Sequence, residues 1–414
     1  MRHGLAVIAV IMAALAGAGG TCERKDGDTA DSDRQESAAD PGGTVAAEPE
    51  TPTGASAART SSAAATDAAP TGGAPRARLI EMGWDEPDTR FMREHIAAME
   101  RAPFDGCVFH VLYPQGGGKQ GNFTWEFWGR RAFTRAELQP AIDDLKATPF
   151  RKFTDNFLRI NVTPGNLDWF SSESQIVNNA RLAARVAREG GVAGIMLDTE
   201  PYQGKLWTLN PASKRSWNET APRVRAWGRA VMNAIQDEYP DPVVLLTLGH
   251  SFAWHEVTLL RKPIAQCPNG LLAPFLDGLF DAARGNTQIV DGHELSYGFR
   301  DTTLFHRAAR TMKRSLVPIV ADSVRYHDHS RVAFGVWMDN DWKKHGWDTL
   351  DVKRNYYPPQ ALERSLTVAL RATDRYVWLY SEGPRWWTAA GRPVALPPAY
   401  VDAVVRARRS AGLR

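Results

Sequence analysis

The stretch Gly194-Ile195-Met196-Leu197-Asp198-Thr199-Glu200-Pro201-Tyr202 sets the reading of this chain. An apolar run of strand length ends in two carboxylates one residue apart, followed by a proline and an aromatic residue. Successive strand side chains point to opposite faces. Met196, Asp198 and Glu200 therefore share one face, with about 7 Å between alternate residues. A run that is apolar on both faces suits a parallel strand covered by helices. Two acids at the carboxyl end of such a strand are costly unless they are paired or used chemically.

Outward from this strand, short apolar runs alternate with helix-biased segments. Strands are predicted over 78–84, 106–112, 157–162, 192–198, 242–248, 287–290, 332–338 and 375–380. Helices are predicted over 89–101, 135–147, 174–188, 221–238, 270–283, 302–313 and 359–373, with a last one over 400–410. In the first helix, Phe91, Met92, Ile96 and Met99 make one apolar face at helical spacing. Eight such βα units predict an α/β fold, a (β/α)8 TIM barrel over residues 78–414. The alternative is a doubly wound open sheet. That fold normally has fewer strands and a Gly-rich first turn, and no GxGxxG or phosphate-loop pattern follows any of these runs.

Ahead of the barrel, Arg2 and His3 precede an apolar stretch over 5–15 and then small residues up to Thr21-Cys22. Residues 1–22 read as a secretory signal peptide, too short for a comfortable membrane span. Cleavage after Ala16-Gly17-Ala18 and lipidation of Cys22 are the two outcomes. Residues 23–77 are Ala, Thr, Gly, Pro, Ser and acids, a composition that buries too little surface to offset ordering and predicts a disordered tether. The expected location is therefore exported: periplasmic, lipid-anchored at the cell surface or secreted. Membrane contact is expected only through an anchor at Cys22.

The tether holds 5 basic and 10 acidic residues; with Arg2 at +1 and the whole chain at +3, about +7 remains on the barrel. No basic run or RNA-binding signature accompanies that charge, so nucleic acid is not an expected partner. The 3 cysteines do not make a disulfide framework. Cys107, in an apolar strand, reads as a buried thiol.

Barrel active sites are built where strands end, and here nearly every end is polar or aromatic. The first strand ends at Trp84-Asp85 and contains Glu81. The second carries His110, the third Arg159 and Asn161, and the fourth Asp198 and Glu200, with Tyr202 beyond. The fifth ends at His250, and the sixth is followed by Asp291, His293, Glu294 and Tyr297. The last two end in Trp337-Met338-Asp339 and Trp378-Leu379-Tyr380-Ser381-Glu382. Alternation puts Phe334, Val336, Met338, Val377 and Leu379 towards the helices. It leaves Ala333, Gly335, Trp337 and Asp339 facing inward, together with Tyr376, Trp378, Tyr380 and Glu382.

At the fourth strand the sequence resembles the D-x-x-D-x-D-x-E signature of family 18 glycoside hydrolases, the chitinase-type barrels. The four positions are Ala193, Met196, Asp198 and Glu200, so the last two acids match. Trp378 stands where that family carries a floor tryptophan for the sugar, and Tyr297 loosely matches its tyrosine. The family's Ser-x-Gly-Gly is absent, with Arg159-Ile160-Asn161 in its place. The resemblance implies a glycoside hydrolase with Glu200 as general acid. Asp198 would then be the assisting carboxylate or nucleophile, or would orient a substrate acetamido group. A two-carboxylate mechanism needs a partner from another strand, and Glu294, Asp339 and Glu382 are the candidates, Glu294 first. Candidate sugar-binding residues are Trp84, His110, Asn161, Tyr202, His250, Tyr297, Trp337, Trp378 and Tyr380. No organic cofactor and no metal is expected, and the expected partner is a carbohydrate substrate.

All 14 tryptophans follow the tether, and their crowding in loops and strand ends predicts a glycan cleft, although indoles also fill cores. Asp198 and Glu200 could instead belong to a buried ion-pair network with Arg159, for which Glu81 is a further candidate partner. Two other functions stay open. One is a non-catalytic glycan-binding lipoprotein. The other is a metal-dependent barrel hydrolase that draws ligands from His110, Asp198, Glu200, His250, Asp291 and His293. The chain has no His-x-His on its first strand and no HExxH helix to support the latter.

Overall fold

The eight predicted apolar runs all form strands in the computed structural model, which describes residues 77–83, 86–166, 168–210, 214–341 and 346–413. The expected signal peptide, the tether apart from Ala77, and Trp84, Asp85 and Trp342 lie outside the described residues. The strands are β1 (Arg78–Gly83), β2 (Gly106–Phe109), β3 (Phe157–Asn161), β4 (Gly194–Asp198), β5 (Val243–Leu246) and β6 (Gln288–Asp291). Then follow β7, in two pieces (Ser330–Val332 and Phe334–Trp337), and β8 (Tyr376–Ser381). Neighbours from β1 to β6 pair in parallel and in chain order. The first piece of β7 pairs with β6, the second with β8, and β8 pairs back to β1. One strand interrupted at Ala333 thus joins both edges of the sheet, and the ring closes as a (β/α)8 barrel.

Helices alternate with the strands: α1 (Thr89–Met99), α2 (Arg135–Ala147), α3 (Ser174–Glu189) and α4 (Trp217–Glu238) follow β1 to β4. Two helices, α5 (His250–Leu260) and α6 (Leu272–Ala282), follow β5. Next come α7 (Thr303–Arg310), α8 (Pro359–Ala372) and α9 (Pro398–Ser410). Their starts are locally encoded. Thr134 with Glu137 and Ser216 with Glu219 form reciprocal capping boxes, and Asp88 accepts from the Phe91 amide. Proline opens α8 and α9, where its missing N–H costs nothing.

The expected alternation holds. Met196, Trp337, Tyr376, Trp378 and Tyr380 pack with Ile80, Val108, Phe157, Leu245 and Val290 inside the barrel. Phe334, Val336, Met338, Val377 and Leu379 join the outer core against the helices. The interior admits Trp378 because Gly292 and Gly335 stand opposite it, where a Cβ would come within 2.2 Å and 2.8 Å of the indole.

The tryptophans correct an expectation. Trp128, Trp169, Trp207 and Trp227 cluster with Phe275, ring centroids 5.0 to 6.4 Å apart, and Trp386 and Trp387 pack on Phe104. All six are buried, so most of the tryptophan excess fills core rather than a glycan cleft. Cys107 and Cys267 are both free and buried.

Candidate active site

At the carboxyl end of β4, Asp198 is fully buried and accepts five hydrogen bonds. Its Oδ2 receives Arg159 Nη2 at 2.6 Å, Arg159 Nε at 3.2 Å and the Tyr202 hydroxyl at 2.9 Å. Its Oδ1 receives the Thr247 hydroxyl at 3.0 Å and the Glu200 amide at 3.1 Å. Arg159 reaches it because β3 and β4 pair with Arg159 opposite Met196, side chains on the same interior face. The other side of the guanidinium meets Glu86, Nη1 to Oε2 at 3.3 Å. Burial works against the Arg159 charge, but Glu86 and Asp198 overcome it and hold the guanidinium charged. The Tyr202 ring and Trp125 flank this group, with Trp125 at 5.3 Å from the guanidinium carbon. The ion-pair partner is Glu86 and not Glu81. Glu86 follows β1 in a polar loop whose sequence carries no periodic signal; only the need of a buried arginine for a second acid points to it.

Glu200 lies two residues beyond Asp198 and is 7% exposed. Burial, and then the Asp198 charge, push its carboxyl up to about 8, while Tyr202 and Arg159 act the other way. Its Oε1 has no partner within the protein. Glu294 arrives from β6 on a tight turn, Glu294–Gly298, entered through His293 in the left-handed conformation with φ 47°. Its amide donates to the Thr247 carbonyl at 3.3 Å. Burial raises this carboxyl well above the usual range, and the charges of Glu200 and Asp198 add to the rise. Its Oε2 is likewise unpartnered within the protein. Two buried carboxyls, one from β4 and one from β6, thus lie close enough for the Glu200 charge to act on Glu294.

An aromatic group stands beside them. The Tyr297 ring stacks on Tyr380 at 5.2 Å and 19°, and Trp337 meets both edge-on at 6.0 and 5.6 Å. Trp378 donates from Nε1 to the Tyr297 hydroxyl at 3.2 Å, but it is fully buried and backs Tyr297 rather than facing solvent. Asp339 pins the ends of β7 and β8 by accepting from Trp337 Nε1 at 3.0 Å, the Glu382 amide at 3.0 Å and the Gly383 amide at 2.8 Å. Glu382 is half-buried and accepts from the Tyr380 hydroxyl at 3.4 Å. Asn161 is fully buried and receives the Thr163 amide at 3.0 Å, leaving Nδ2 without a protein partner. His110 is half-buried with Nδ1 3.9 Å from Glu86.

His250 is not with this group. The chain turns into α5 at Gly249 rather than continuing as strand, and His250 faces the helical layer. There Nε2 bonds Asp277 at 3.0 Å between Phe280 and Tyr326. Asp291 and His293 are tied to each other through Ser251, whose hydroxyl lies 2.7 Å from Asp291 and 2.9 Å from His293 Nδ1. Asp291 also receives the Ser251 amide, and burial lowers His293 to about 4. The six residues weighed as metal ligands therefore divide into Asp198 with Glu200, Asp291 with His293, and His110 and His250 each with other partners. Among the described residues, no group of three or more His, Cys, Asp or Glu side chains is placed to hold a metal ion.

No protein-family model and no curated protein matches the chain. Solved structures similar to it include a GH5_18 protein from Streptomyces cattleya in complex with Manβ1-4GlcNAc, 13% identical, covering 80% of this chain and 81% of that one, TM-score 0.42. A family GH18 chitinase from Chromobacterium violaceum is 14% identical over 81% of this chain and 83% of its own, TM-score 0.41. Endonuclease IV from Thermus thermophilus is 13% identical over 81% of this chain and 98% of its own, TM-score 0.33. The barrel stands on its own hydrogen-bonded ring, and the chemistry on its side chains.

Asp198, bound on both oxygens, is a fixed acceptor that holds the Glu200 backbone and raises its carboxyl. Glu200 and Glu294 each keep one buried oxygen without a protein partner.

Proposed function

We propose that this protein hydrolyses glycosidic bonds in a polysaccharide or glycan, with Glu200 as proton donor and Glu294 as the opposed carboxylate. The observation that carries the reading is that these two buried carboxyls, each with an unpartnered oxygen, stand close enough for the Glu200 charge to act on Glu294. A carboxyl whose environment lifts it towards neutrality is suited to acid catalysis near pH 7, and glycoside hydrolysis sets such an acid opposite a second carboxyl that acts in its ionised form.

Glu200 passes its proton to the glycosidic oxygen as the bond from that oxygen to the anomeric carbon breaks. Glu294 acts in its ionised form. Either it bonds the anomeric carbon, and water activated by Glu200 then breaks that bond and returns the proton to Glu200, or it takes a proton from water attacking that carbon, releases it to solvent, and Glu200 regains one from solvent. In both cases water supplies the hydroxyl of the new reducing end. Asp198 is a positioning residue, acting through the Glu200 amide and its own charge. Trp337 and Tyr380 are largely buried, at 3% and 8% exposure, and of the two Tyr380 leaves more of its ring for a sugar.

The test is turnover of a panel of chromogenic glycosides and polysaccharides by the full-length chain, beside Glu200→Gln and Glu294→Gln. Turnover by the wild type and its loss in both variants is the expected result. Binding without turnover in all three would replace the reading with a non-catalytic glycan-binding protein. Activity that survives both substitutions and disappears on chelation would replace it with a metal enzyme.

A further inference from the structure

We propose that Thr247 is a positioning residue that sets the two carboxyls against each other. Its hydroxyl fixes Asp198 and the backbone of Glu200, and its carbonyl fixes the turn that carries Glu294. The inference rests on the glycosidase reading above and adds a residue to its machinery.

The register of the sheet puts Thr247 in place. Glu200 follows the end of β4 and Glu294 the end of β6, so β5 runs between them. No acid follows β5, which leads into Thr247-Leu248-Gly249. Leu197 pairs with Leu246, so one residue further on Asp198 and Thr247 stand side by side. Met196 and Leu245 both face the barrel interior, and alternation turns Asp198 and Thr247 to that same face. Thr247 is buried there.

Its hydroxyl has one proton, and the neighbours decide where that proton goes. The Thr199 amide donates to Thr247 Oγ1 at 3.0 Å. The Thr199 hydroxyl, 3.4 Å from it, receives the Leu248 amide at 3.1 Å and donates to the Leu248 carbonyl at 2.8 Å. With that proton committed, the Thr247 proton goes to Asp198 Oδ1 at 3.0 Å, the oxygen that also receives the Glu200 amide. One hydroxyl therefore holds both the carboxylate and the Thr199 amide that leads to Glu200.

The carbonyl serves the other acid. Leu246 accepts from the Gly292 amide at 3.0 Å, and Thr247 then accepts from the Glu294 amide at 3.3 Å. His293, in the left-handed conformation, is passed over and bends the chain so that the Glu294 amide returns to β5. Loss of the hydroxyl would leave the fully buried Thr199 amide without an acceptor. Such a donor is expensive to leave unpaired, so the 199–200 segment should shift and carry Glu200 away from Asp198. Substrate does not reach the buried hydroxyl, so the loss should fall on kcat and not on KM.

The experiment compares Thr247→Val, which keeps the shape and loses the hydroxyl, with Thr247→Ser, which keeps the hydroxyl, both in the full-length chain. Turnover is read on the chromogenic glycoside that the wild type cleaves best, and melting is followed between pH 5 and 8 without substrate. Thr247→Val should lower kcat at least about tenfold with KM within about twofold, and Thr247→Ser should keep kcat within about threefold. The groups that act on Glu200 are Asp198, Tyr202 and Arg159, Asp198 being the one that raises it, and Glu200 acts in turn on Glu294. Thr247→Val should therefore also lose about half or more of the wild-type fall in melting temperature over that range, and Thr247→Ser should keep it. Unchanged kcat in Thr247→Val, or equal loss in both variants, overturns the role of Thr247 and leaves the glycosidase standing. An unchanged melting profile in Thr247→Val overturns it even where kcat falls, since packing alone would then explain the loss. Absence of turnover by the wild type overturns the reaction instead. The melting profiles then decide the link, a flattened one in Thr247→Val alone upholding it and three parallel ones overturning it.

Discussion

Burial and the Asp198 charge hold the Glu200 carboxyl neutral far into the range where an exposed glutamate has lost its proton. Its folded pKa of about 8 lies above the ordinary 4.5, so the stability it contributes is complete below pH 4.5 and is lost as pH rises towards 8. Wild-type melting temperature should therefore fall between pH 5 and 8. Glu200→Gln, which keeps the shape and cannot ionise, should fall less, as thermal scans across that range would show. Parallel curves would place the titration elsewhere. Arg159 makes the opposite case, a charge that two buried acids require. Arg159→Leu leaves Glu86 and Asp198 unpaired and should cost about 3–5 kcal/mol in urea denaturation. A loss under about 1 kcal/mol would mean that the pair is solvated. Asp198 and Glu200 were legible because they end an apolar run. Glu86 was not, since it is buried only by an arginine 73 residues away.

Strand parity was legible for a similar reason. Alternation is a local property with a period of two, and it placed Trp337, Trp378 and Tyr380 inside before any contact was known. α5 escaped because His250-Ser251-Phe252-Ala253-Trp254 continues an apolar run with no side-chain cap to mark a break. What ends β5 is Asp291 on the neighbouring strand, which accepts from the Ser251 amide. A Cβ at Gly249 would come within 2.3 Å of its carboxyl carbon. Gly335 does similar service inside the barrel. There a Cβ would lie 2.5 Å from the Tyr297 ring and 2.8 Å from Trp378. Gly335→Ala should cost about 1–3 kcal/mol by overpacking. It should also lower kcat, because the Tyr297 ring beside Glu294 and the Trp378 ring that backs it must move. Wild-type melting and turnover in this variant would show that the element tolerates a shift it has no room for.

The barrel as a whole is locked where its last helix meets its first strand. Arg408 on α9 reaches Asp105 with Nη1 at 2.7 Å and Nη2 at 3.0 Å, and Asp105 also accepts from the Leu79 amide in β1 at 2.8 Å. Burial opposes the Asp105 charge, but Arg408 outweighs it and lowers the carboxyl below its ordinary 3.8. The stability from this pair is present above pH 3.8 and is lost as pH falls through the lowered value. Arg408→Met should cost about 3–5 kcal/mol at neutral pH, and its denaturation midpoint should approach the wild type's in acid. A constant difference down to about pH 2 would show that the loss is one of packing instead. The sequence by itself determined the eight alternating units, the face each strand turns inward and the acids that end β4, because period, capping and apolar runs are written in neighbouring residues. Closure of the ring decided the rest: Glu294 beside Glu200, Asp339 bound to the Glu382 and Gly383 amides, His250 turned outward, and most tryptophans buried. Those outcomes depend on which strand ends meet across the barrel mouth. That meeting is set by hydrogen bonds between segments far apart in the chain, which no local pattern encodes.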